Sequence, residues 1–313
     1  MVRIGSGKFI NKALVILLLA GFCSQAMAQD LEPRRWSHLP SGLNVFGLVS
    51  GWTDGDIFFD PVLLAEDVTF DMYVAGAGYV RTFGLFGKSS RIDLVVPYAS
   101  GRWEGIVDGV DTSLRRRGLM DPRLRFSINL YGAPALRGSD FVQFKGDNPV
   151  NTTIGAALAV SFPLGDHDNT KLINLGGNRM VYRPQLGVLH QRRNWQFELT
   201  GSVFLFETND DFWNGNVLKQ DPLWFAQAHV IYSFRPGWWA SVSGGFAHGG
   251  RSEVNGVPKI DDKRSRYIAL SMGMPINQQQ GLKFTYLTSD THIETGTNTN
   301  ALLVGWTVAG GGR

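Results

Sequence analysis

Apolar side chains alternate with small or polar ones, with a period of two, in segments that follow one another along most of the chain. In one segment Ile154 and Leu158 share one face, while Thr153 and Gly155 share the opposite face. Successive side chains of a β-strand point to opposite faces, so each segment predicts an amphipathic strand. Most segments run 10–14 residues, close to the length of about 9–11 residues with which a tilted strand crosses the hydrocarbon of a bilayer. The twelve predicted strands lie near 42–53, 68–82, 91–104, 119–131, 151–162, 180–191, 195–207, 221–234, 238–250, 264–276, 282–290 and 299–308.

The first residues have the features of a secretory signal peptide, which we assign to 1–28. Its positively charged n-region contains Arg3, Lys8 and Lys12. The segment Ala13–Cys23 is apolar but short, and Ala26-Met27-Ala28 forms an Ala-x-Ala cleavage site. A lipid anchor on Cys23 is the alternative, which the bulky Phe22 disfavours because a small residue normally precedes a lipidated cysteine. An exported chain of amphipathic strands is typical of a bacterial outer-membrane barrel.

Composition argues against two classes of protein. The chain has 30 basic and 27 acidic residues, and the three excess basic residues all lie within 1–28, so the mature chain is close to neutral. A nucleic-acid-binding protein would instead carry a basic stripe. The 38 glycines are too many for a helical or α/β enzyme of this size. Cys23 is the only cysteine, so the mature chain has no disulfide to stabilise it.

The connections between the predicted strands alternate in length, and this alternation predicts an orientation. With a periplasmic N-terminus, the extracellular connections are 54–67, 105–118, 163–179, 208–220, 251–263 and 291–298. The periplasmic connections are 83–90, 132–150, 192–194, 235–237 and 277–281, three of which are very short. Long loops outside and tight turns inside are the rule for bacterial barrels. The long exception, 132–150, is predicted to hold a short helix around Ser139–Lys145.

Tryptophan and tyrosine residues fall near the strand ends, as in the aromatic girdles at the two membrane interfaces. Those near the periplasmic ends are Trp195, Trp238, Trp239, Tyr131 and Tyr232. Those near the extracellular ends are Trp52, Trp103, Trp224 and Tyr267. A soluble β-sandwich with scattered aromatics is the alternative. Strand number, loop lengths and signal peptide together favour an all-β fold, a transmembrane antiparallel β-barrel of about twelve strands.

Domain boundaries follow from this fold. The signal peptide is 1–28, a polar leader spans 29–41, the barrel spans 42–308 and a tail spans 309–313. The leader (residues 29–41) contains two prolines and is neither a helix nor a central strand. It is either disordered in the periplasm or folded into the barrel mouth as a partial plug, with Arg34, Arg35 and Trp36 touching the lumen.

Charged and amide side chains on the strands are assigned to the lumen, because an Arg at the middle of the bilayer costs about 2–4 kcal/mol on the lipid face of a barrel. The candidate lumen-lining residues are Asp93, Arg123, Arg125, Arg183, Gln185, Glu198, Gln227, His229 and Lys283. They form either a structural network that fills the interior or a selectivity lining for a polar or amphipathic solute. The faces of the first two strands stay unassigned because these strands are rich in glycine.

No catalytic residue is predicted. Some twelve-stranded outer-membrane barrels are phospholipases with a Ser/His pair on their outer surface, but His229 shares the inward face with Gln227. Ser233 lies four residues further along the same strand, more than about 12 Å away at a rise of about 3.3 Å per residue. Partners from other strands stay open.

No metal site or cofactor is predicted either. Two acidic runs, Asp54-Gly55-Asp56 with Asp60 and Asp166-His167-Asp168, could supply carboxylates to calcium. Neither fits a full calcium loop, and divalent cations among lipopolysaccharide phosphates would also account for acidic surface loops.

Several short motifs resemble those of one known family. They are EPRRWSHLP (32–40), GDI (55–57) before Asp60-Pro61, NLYGAPAL (129–136), KLINLG (171–176), PQLG (184–187), NDDF (209–212), QDP (220–222), SFRPG (233–237) and GGR (249–251). Together they resemble the Gram-negative outer-membrane family described as "putative MetA-pathway of phenol degradation". The resemblance implies a barrel that admits small compounds, often aromatic or hydrophobic. Outer-membrane transporters of hydrophobic compounds also commonly use an N-terminal plug, which is the analogy behind the second interpretation of the leader.

One departure concerns the C-terminus. Outer-membrane barrels usually finish on a strand with a terminal aromatic residue that the barrel-assembly machinery reads, whereas this chain continues into Val308–Arg313 (VAGGGR). We expect this tail to affect how efficiently the barrel assembles, without changing the strand topology.

The predicted function is passive uptake of a small organic compound, aromatic or hydrophobic, across the outer membrane. The compound would enter among the loops 163–179 and 208–220, where Phe212 and Trp213 could provide an apolar first contact. The expected partners are outer-membrane lipids and lipopolysaccharide, the solute and the assembly machinery, and no nucleic acid. The alternatives are a lipid-acting enzyme and a structural barrel without solute traffic.

Overall fold

The computed structural model describes residues 31–58, 65–107, 109–171, 173–291 and 296–311. The signal peptide assigned to 1–28 therefore lies outside the described residues, together with the first two leader residues, Asp60 and the last two residues of the tail. Among the residues described, no helix is long and apolar enough to span a membrane.

The described strands are β1 (Leu43–Phe58), β2 (Ala65–Leu85), β3 (Lys88–Val107), β4 (Val110–Leu119), β5 (Arg123–Tyr131), β6 (Val150–Ser161), β7 (Val181–Arg192), β8 (Trp195–Phe206), β9 (Asn209–Phe212), β10 (Asn216–Gln220), β11 (Leu223–Arg235), β12 (Trp238–Gly249), β13 (Ser252–Val254), β14 (Val257–Pro258), β15 (Lys263–Pro275), β16 (Gln280–Thr291) and β17 (Gly296–Gly311). One helix, α1, spans Gly138–Asp147. It covers the predicted helix Ser139–Lys145, which is confirmed.

The strands close into one antiparallel barrel. Its ring order is β1, β2, β3, β4 with β5, β6, β7, β8, β11, β12, β15, β16 and β17, which pairs back onto β1. β4 and β5 share the fourth position because the first part of β3 pairs with β5 and its later part pairs with β4. The prediction of a twelve-stranded transmembrane β-barrel is confirmed. Closure leaves no unpaired barrel edge within the span of these strands, as the lipid phase requires.

Side-chain alternation gives the barrel two different faces. On β5, Leu124 and Phe126 are exposed, while Arg125 and Ser127, which alternate with them, are buried. The same alternation runs along β8, β11 and β15. The outer surface is therefore a band of exposed apolar side chains that lipid can solvate, and the polar side chains point inward.

A small four-stranded sheet stands on the extracellular side, with the order β14-β13-β10-β9. It forms within the predicted loops 208–220 and 251–263. Phe212, Leu218 and Val254 make its core, and Trp213 packs against them.

Several local predictions were wrong. The connection 105–118 was predicted as a loop, but β3 and β4 form a hairpin there, with Val107 opposite Val110. The last strand continues to Gly311, which pairs with Leu43, so part of the predicted tail belongs to the barrel.

Three of the aromatic residues assigned to the girdles point inward instead. Trp103 packs against an interior cluster, Tyr267 is buried within another, and Trp239 lies beside Arg34 of the leader. All three have odd residue numbers, as do the buried residues nearest to them on the same strands. Because side chains alternate between the two faces of a strand, these three lie on the inward face.

Candidate functional site

The described part of the leader, residues 31–41, lies inside the barrel. The leader ends at the periplasmic end of the barrel, where the N–H of the following residue, Gly42, donates to the carbonyl oxygen of Thr82 (2.9 Å). Leu31, Arg35 and Trp36 are buried, and Trp36 is only 1% exposed. The leader contacts β3 and β5 on one side of the ring and β8, β11 and β12 on the other. It therefore crosses the lumen from wall to wall.

Arg35 joins the leader to a buried ionic cluster on β3 and β5. Its Nη1 lies 3.0 Å from Asp93 Oδ2, and its Nη2 donates to Ser127 Oγ. Asp93 also contacts Arg125 Nε at 3.2 Å and Arg91 Nε at 3.4 Å. One carboxylate thus faces three guanidinium groups in a site shielded from water. The attraction between these opposite charges is strong there, and removal of one partner leaves a buried charge without compensation.

A second set of contacts fixes the leader on both sides. Glu32 accepts from Arg125 Nη2 at 2.7 Å and from Arg123 Nη2 at 3.4 Å. On the opposite wall, Glu198 Oε1 accepts the backbone N–H of Arg35 at 3.0 Å. Gln227 Oε1 accepts the backbone N–H of Glu32 at 3.3 Å. These bonds satisfy backbone donors of a segment that has no strand or helix partner of its own.

Trp36 is the apolar anchor of the leader. Its Nε1–H donates to Thr200 Oγ1 at 2.7 Å, and its ring packs in a cluster with Ala157 and Leu189. The indole also lies directly against Gly155 and Gly187, where any Cβ would overlap with the ring. Glycine is needed at these two wall positions because the ring approaches the backbone too closely for a side chain.

Substituting Gly187 by Ala should therefore dislodge Trp36 without altering any charge. We expect the loss of leader docking to be of the order of 1–3 kcal/mol, as for an overpacked core, with the strand pairing of the barrel retained. The measurement is trypsin cleavage after Arg34 or Arg35 in the folded protein, which should become faster. Gly201→Ala is the matched control, because nothing lies within 4 Å of a Cβ at that glycine. Equal cleavage rates in the two variants would contradict the role assigned to Trp36.

The periplasmic end of the leader is held by the connection between β5 and β6. His38 Nε2 contacts the carbonyl oxygen of Pro134 at 2.7 Å. The His38 ring packs edge-on against Phe141 and Phe144 of α1, with centroids 4.9 and 5.3 Å apart. Burial lowers the pKa of His38, the bond to Pro134 acts in the opposite direction, and the nearby charge of Lys145 lowers the pKa further. A lowered pKa favours the neutral ring, which suits contact with the two phenylalanines of α1.

The structure places the predicted lumen residues as follows. Asp93, Arg125, Arg183, Gln185, Glu198, Gln227 and His229 are buried on inward faces. Arg123 is half-buried beside Glu32, and Lys283 is half-buried on the face of Thr285 and Leu287. Of the leader candidates, Arg35 and Trp36 make the contacts above, and Arg34 stacks over Trp239 at 5.4 Å.

Phe212 lies in the predicted connection 208–220 but does not present the exposed apolar contact that was predicted. It is buried in the core of the small extracellular sheet, and Trp213 packs against the same core. The two side chains hold that sheet together, so Phe212 offers no open apolar surface to an arriving solute.

His229 lies beside a serine that sequence reasoning did not single out. Its Nδ1 is 2.7 Å from Ser243 Oγ on β12, and its Nε2 donates to Gln227 Oε1 at 3.2 Å. Glu198 sits opposite His229 in the register of β8 and β11. All of these groups are buried in the lumen and not on the lipid-facing surface.

Sequence reasoning also missed Arg91, Thr200 and the inward phenylalanines Phe204, Phe206 and Phe225. Their strands had been recognised, and the alternation that marks Gln227 and His229 as inward marks Phe225 too. Within the described ranges, no three His, Cys, Asp or Glu side chains come close enough together to hold a metal ion.

A closed antiparallel barrel with an apolar outer band and a polar interior is an outer-membrane β-barrel, and this is the class to which the protein belongs. Its residues 51–300 match the model of the family described as "Putative MetA-pathway of phenol degradation". The chain belongs to this family.

The solved structures that are similar to the chain include two with TM-scores above 0.5. The COG4313 outer membrane channel from Pseudomonas putida F1 is 18% identical, with a TM-score of 0.73, and the match covers 90% of this chain and 100% of that chain. The transport unit of the autotransporter AIDA-I from Escherichia coli is 11% identical, with a TM-score of 0.51, and the match covers 95% and 98%. At these identities the likeness concerns the fold. No curated protein sequence matches the chain significantly.

Proposed function

We propose that the protein is a passive channel for small organic solutes across the outer membrane, and that its leader is a plug. The observation that carries the proposal is the leader itself, which crosses a closed barrel and is bound to both walls by side-chain contacts and not by a sheet. A segment bound in this way can leave the lumen without any strand of the barrel separating. The lumen that it vacates is lined by polar and charged groups that water can wet.

The proposed solutes are aromatic or otherwise hydrophobic compounds. The family description refers to phenol degradation. Inward aromatic rings, including Phe204, Phe225 and Tyr267, supply a surface on which a planar ring can pack. No step in this proposal needs an energy source, because a solute gradient suffices.

Swelling of proteoliposomes tests the proposal. Vesicles that contain the full-length mature protein should swell in isotonic phenol or benzyl alcohol solutions faster than protein-free vesicles, and stachyose should be excluded. Swelling at the protein-free rate for every solute, also after removal of the leader, would show that the barrel carries no solute.

Lipid hydrolysis is a second candidate function, favoured only by the contact of His229 with Ser243. A Ser/His pair can activate a hydroxyl nucleophile, but this pair lies in the lumen, where an acyl chain of the bilayer does not reach it. We expect no hydrolysis of detergent-dispersed phospholipid. Hydrolysis that disappears in His229→Ala would overturn this expectation.

A further inference from the structure

The interior of the barrel contains more positive than negative charge, although the mature chain is nearly neutral. Among the described residues, the inward faces of the barrel wall contribute Arg91, Arg123, Arg125, Arg183 and Lys283. The leader adds Arg34 and Arg35, and the loop before β7 adds the buried Arg179.

The carboxylates of the same region are Glu32, Asp93, Asp121 and Glu198, so the eight cations are twice as numerous. Glu32 and Asp93 are shared among Arg35, Arg91, Arg123 and Arg125 at the level of the leader. A low-dielectric wall focuses the field of this net positive charge along the lumen. This field attracts anions and opposes cations.

Arginine and phenylalanine side chains form a continuous stack in the extracellular half of the lumen. The guanidinium carbon of Arg179 lies 4.6 Å from the centroid of the Phe206 ring. Phe206 stacks nearly parallel to Phe204, with centroids 6.5 Å apart. Arg183 lies 4.3 Å from the Phe204 centroid and 5.4 Å from that of Phe225.

The stack ends on the leader. Phe225 meets Tyr267 edge-on at 5.6 Å, and Leu31 packs within the same cluster as Phe204, Phe225 and Tyr267. Just below lie Gln227 and His229, where Gln227 binds the leader backbone. The stack of rings and guanidinium groups therefore extends from Arg179 to the tip of the described leader.

A cavity of about 350 Å³ opens at the extracellular end of the stack. Phe206 lines it, and so does Gln220, which accepts a hydrogen bond from Arg179. Two ion pairs also line it, Lys219 with Glu253 at 3.9 Å and Arg251 with Asp221 at 3.6 Å. The volume suits a molecule of the size of one substituted benzene ring.

We propose that this half of the lumen binds aromatic carboxylates, from the cavity at Phe206 down to Leu31. The inference rests on the proposed channel function and names its solute class. The ring of such a solute packs against Phe206, Phe204 and Phe225, and its carboxylate meets the guanidinium groups of Arg179 and Arg183. Planar guanidinium matches planar carboxylate in two parallel hydrogen bonds, a geometry that a neutral alcohol cannot provide and a cation opposes.

Equilibrium binding to the detergent-solubilised full-length mature protein tests this proposal. The probes are sodium benzoate, benzyl alcohol and benzylamine, which share one ring and differ in charge. We expect benzoate to bind about tenfold more tightly than benzyl alcohol, and benzylamine to bind weakest, because hydrogen bonds between charged groups are roughly twice as strong as those between neutral ones. Cyclohexanecarboxylate keeps the charge without the aromatic face and should bind more weakly than benzoate.

Arg183→Gln and Arg179→Gln should each weaken benzoate binding about tenfold, with benzyl alcohol binding unchanged. Arg115→Gln is the matched control, since Arg115 is exposed on the outward face of β4, and its affinity should equal that of the unsubstituted protein. Heat-modifiable gel mobility confirms that each variant is a folded barrel, and Arg183→Lys, which keeps the charge, replaces Arg183→Gln if the latter does not fold.

Equal binding of benzoate and benzyl alcohol, or benzoate affinity unaffected by both arginine substitutions, would overturn the proposal. Failure of the channel function gives a different result, namely intact benzoate binding in detergent without solute flux into proteoliposomes. Flux of benzyl alcohol together with exclusion of benzoate would leave a channel and refute the carboxylate site.

Discussion

Deletion of residues Asp30–Pro40 should turn a closed barrel into a conducting one. Trp36, Arg35 and Glu32 bind the leader to opposite walls, and their loss empties the lumen between β3, β5, β8 and β11. A leader held by about 2.7 kcal/mol leaves about 1% of molecules open, so its removal should raise the mean conductance about 100-fold. Single channels in a planar bilayer give the measurement directly.

A control must separate loss of docking from loss of chain length. Exchanging the two central residues, Arg35→Trp with Trp36→Arg, keeps length and composition but places an indole against Asp93 and a guanidinium over the glycines. This variant should conduct nearly as well as the deletion. A deletion variant with the conductance of the full chain would mean that the described leader does not occlude the barrel.

Asp93→Asn should release the leader through electrostatics alone. The carboxylate contacts Arg35, Arg91 and Arg125 within 3.4 Å, and its side chain is 7% exposed. Amide substitution leaves three guanidinium groups without this counter-charge in a buried site. Removing one partner of a buried ion pair typically costs about 3–5 kcal/mol, which corresponds to a shift of 100-fold or more in the docking equilibrium. Trypsin cleavage of the leader and the open probability in bilayers should both rise.

Glu104→Gln is the matched control for this substitution. Glu104 pairs with Arg102 on the same strand, but both side chains are about half exposed. An exposed ion pair contributes about 0–1 kcal/mol, so this variant should behave as the unsubstituted protein does. The double variant Arg35→Gln with Asp93→Asn should be less impaired than the sum of the single changes, because the two groups interact directly. Additive effects would show that Asp93 acts on the barrel and not through Arg35.

The fold was predictable because a barrel wall is a local pattern. Leu124 and Phe126 on one face of a strand, with Arg125 and Ser127 on the other, identify both the strand and its orientation without knowledge of any neighbour. The hairpin of β3 and β4 was not predicted, because the prediction depends on this local alternation and β4 lacks it. β4 carries adjacent arginines at 115–117 and no apolar face, so the period of two does not identify it as a strand.

The partners within the lumen were not predictable from local pattern. Arg35 is 58 residues from Asp93, and Trp36 is 164 residues from Thr200. The order of the strands around the barrel brings these residues into contact, and no local sequence motif contains that order. The inward aromatics were misplaced on different grounds: Trp103, Trp239 and Tyr267 stand near strand ends, where girdle residues are common, and only their parity with buried neighbours separates the two cases.

The direct attachment of the leader to β1 at Gly42–Leu43 has a kinetic consequence. A released segment of residues 31–41 stays tethered within about 40 Å of its site, at a maximal reach of about 3.3–3.6 Å per residue. Tethers of this length produce effective concentrations in the millimolar range. Reclosure is then a first-order event whose rate is independent of protein concentration, and a free peptide of the same sequence at micromolar concentration cannot displace the attached one.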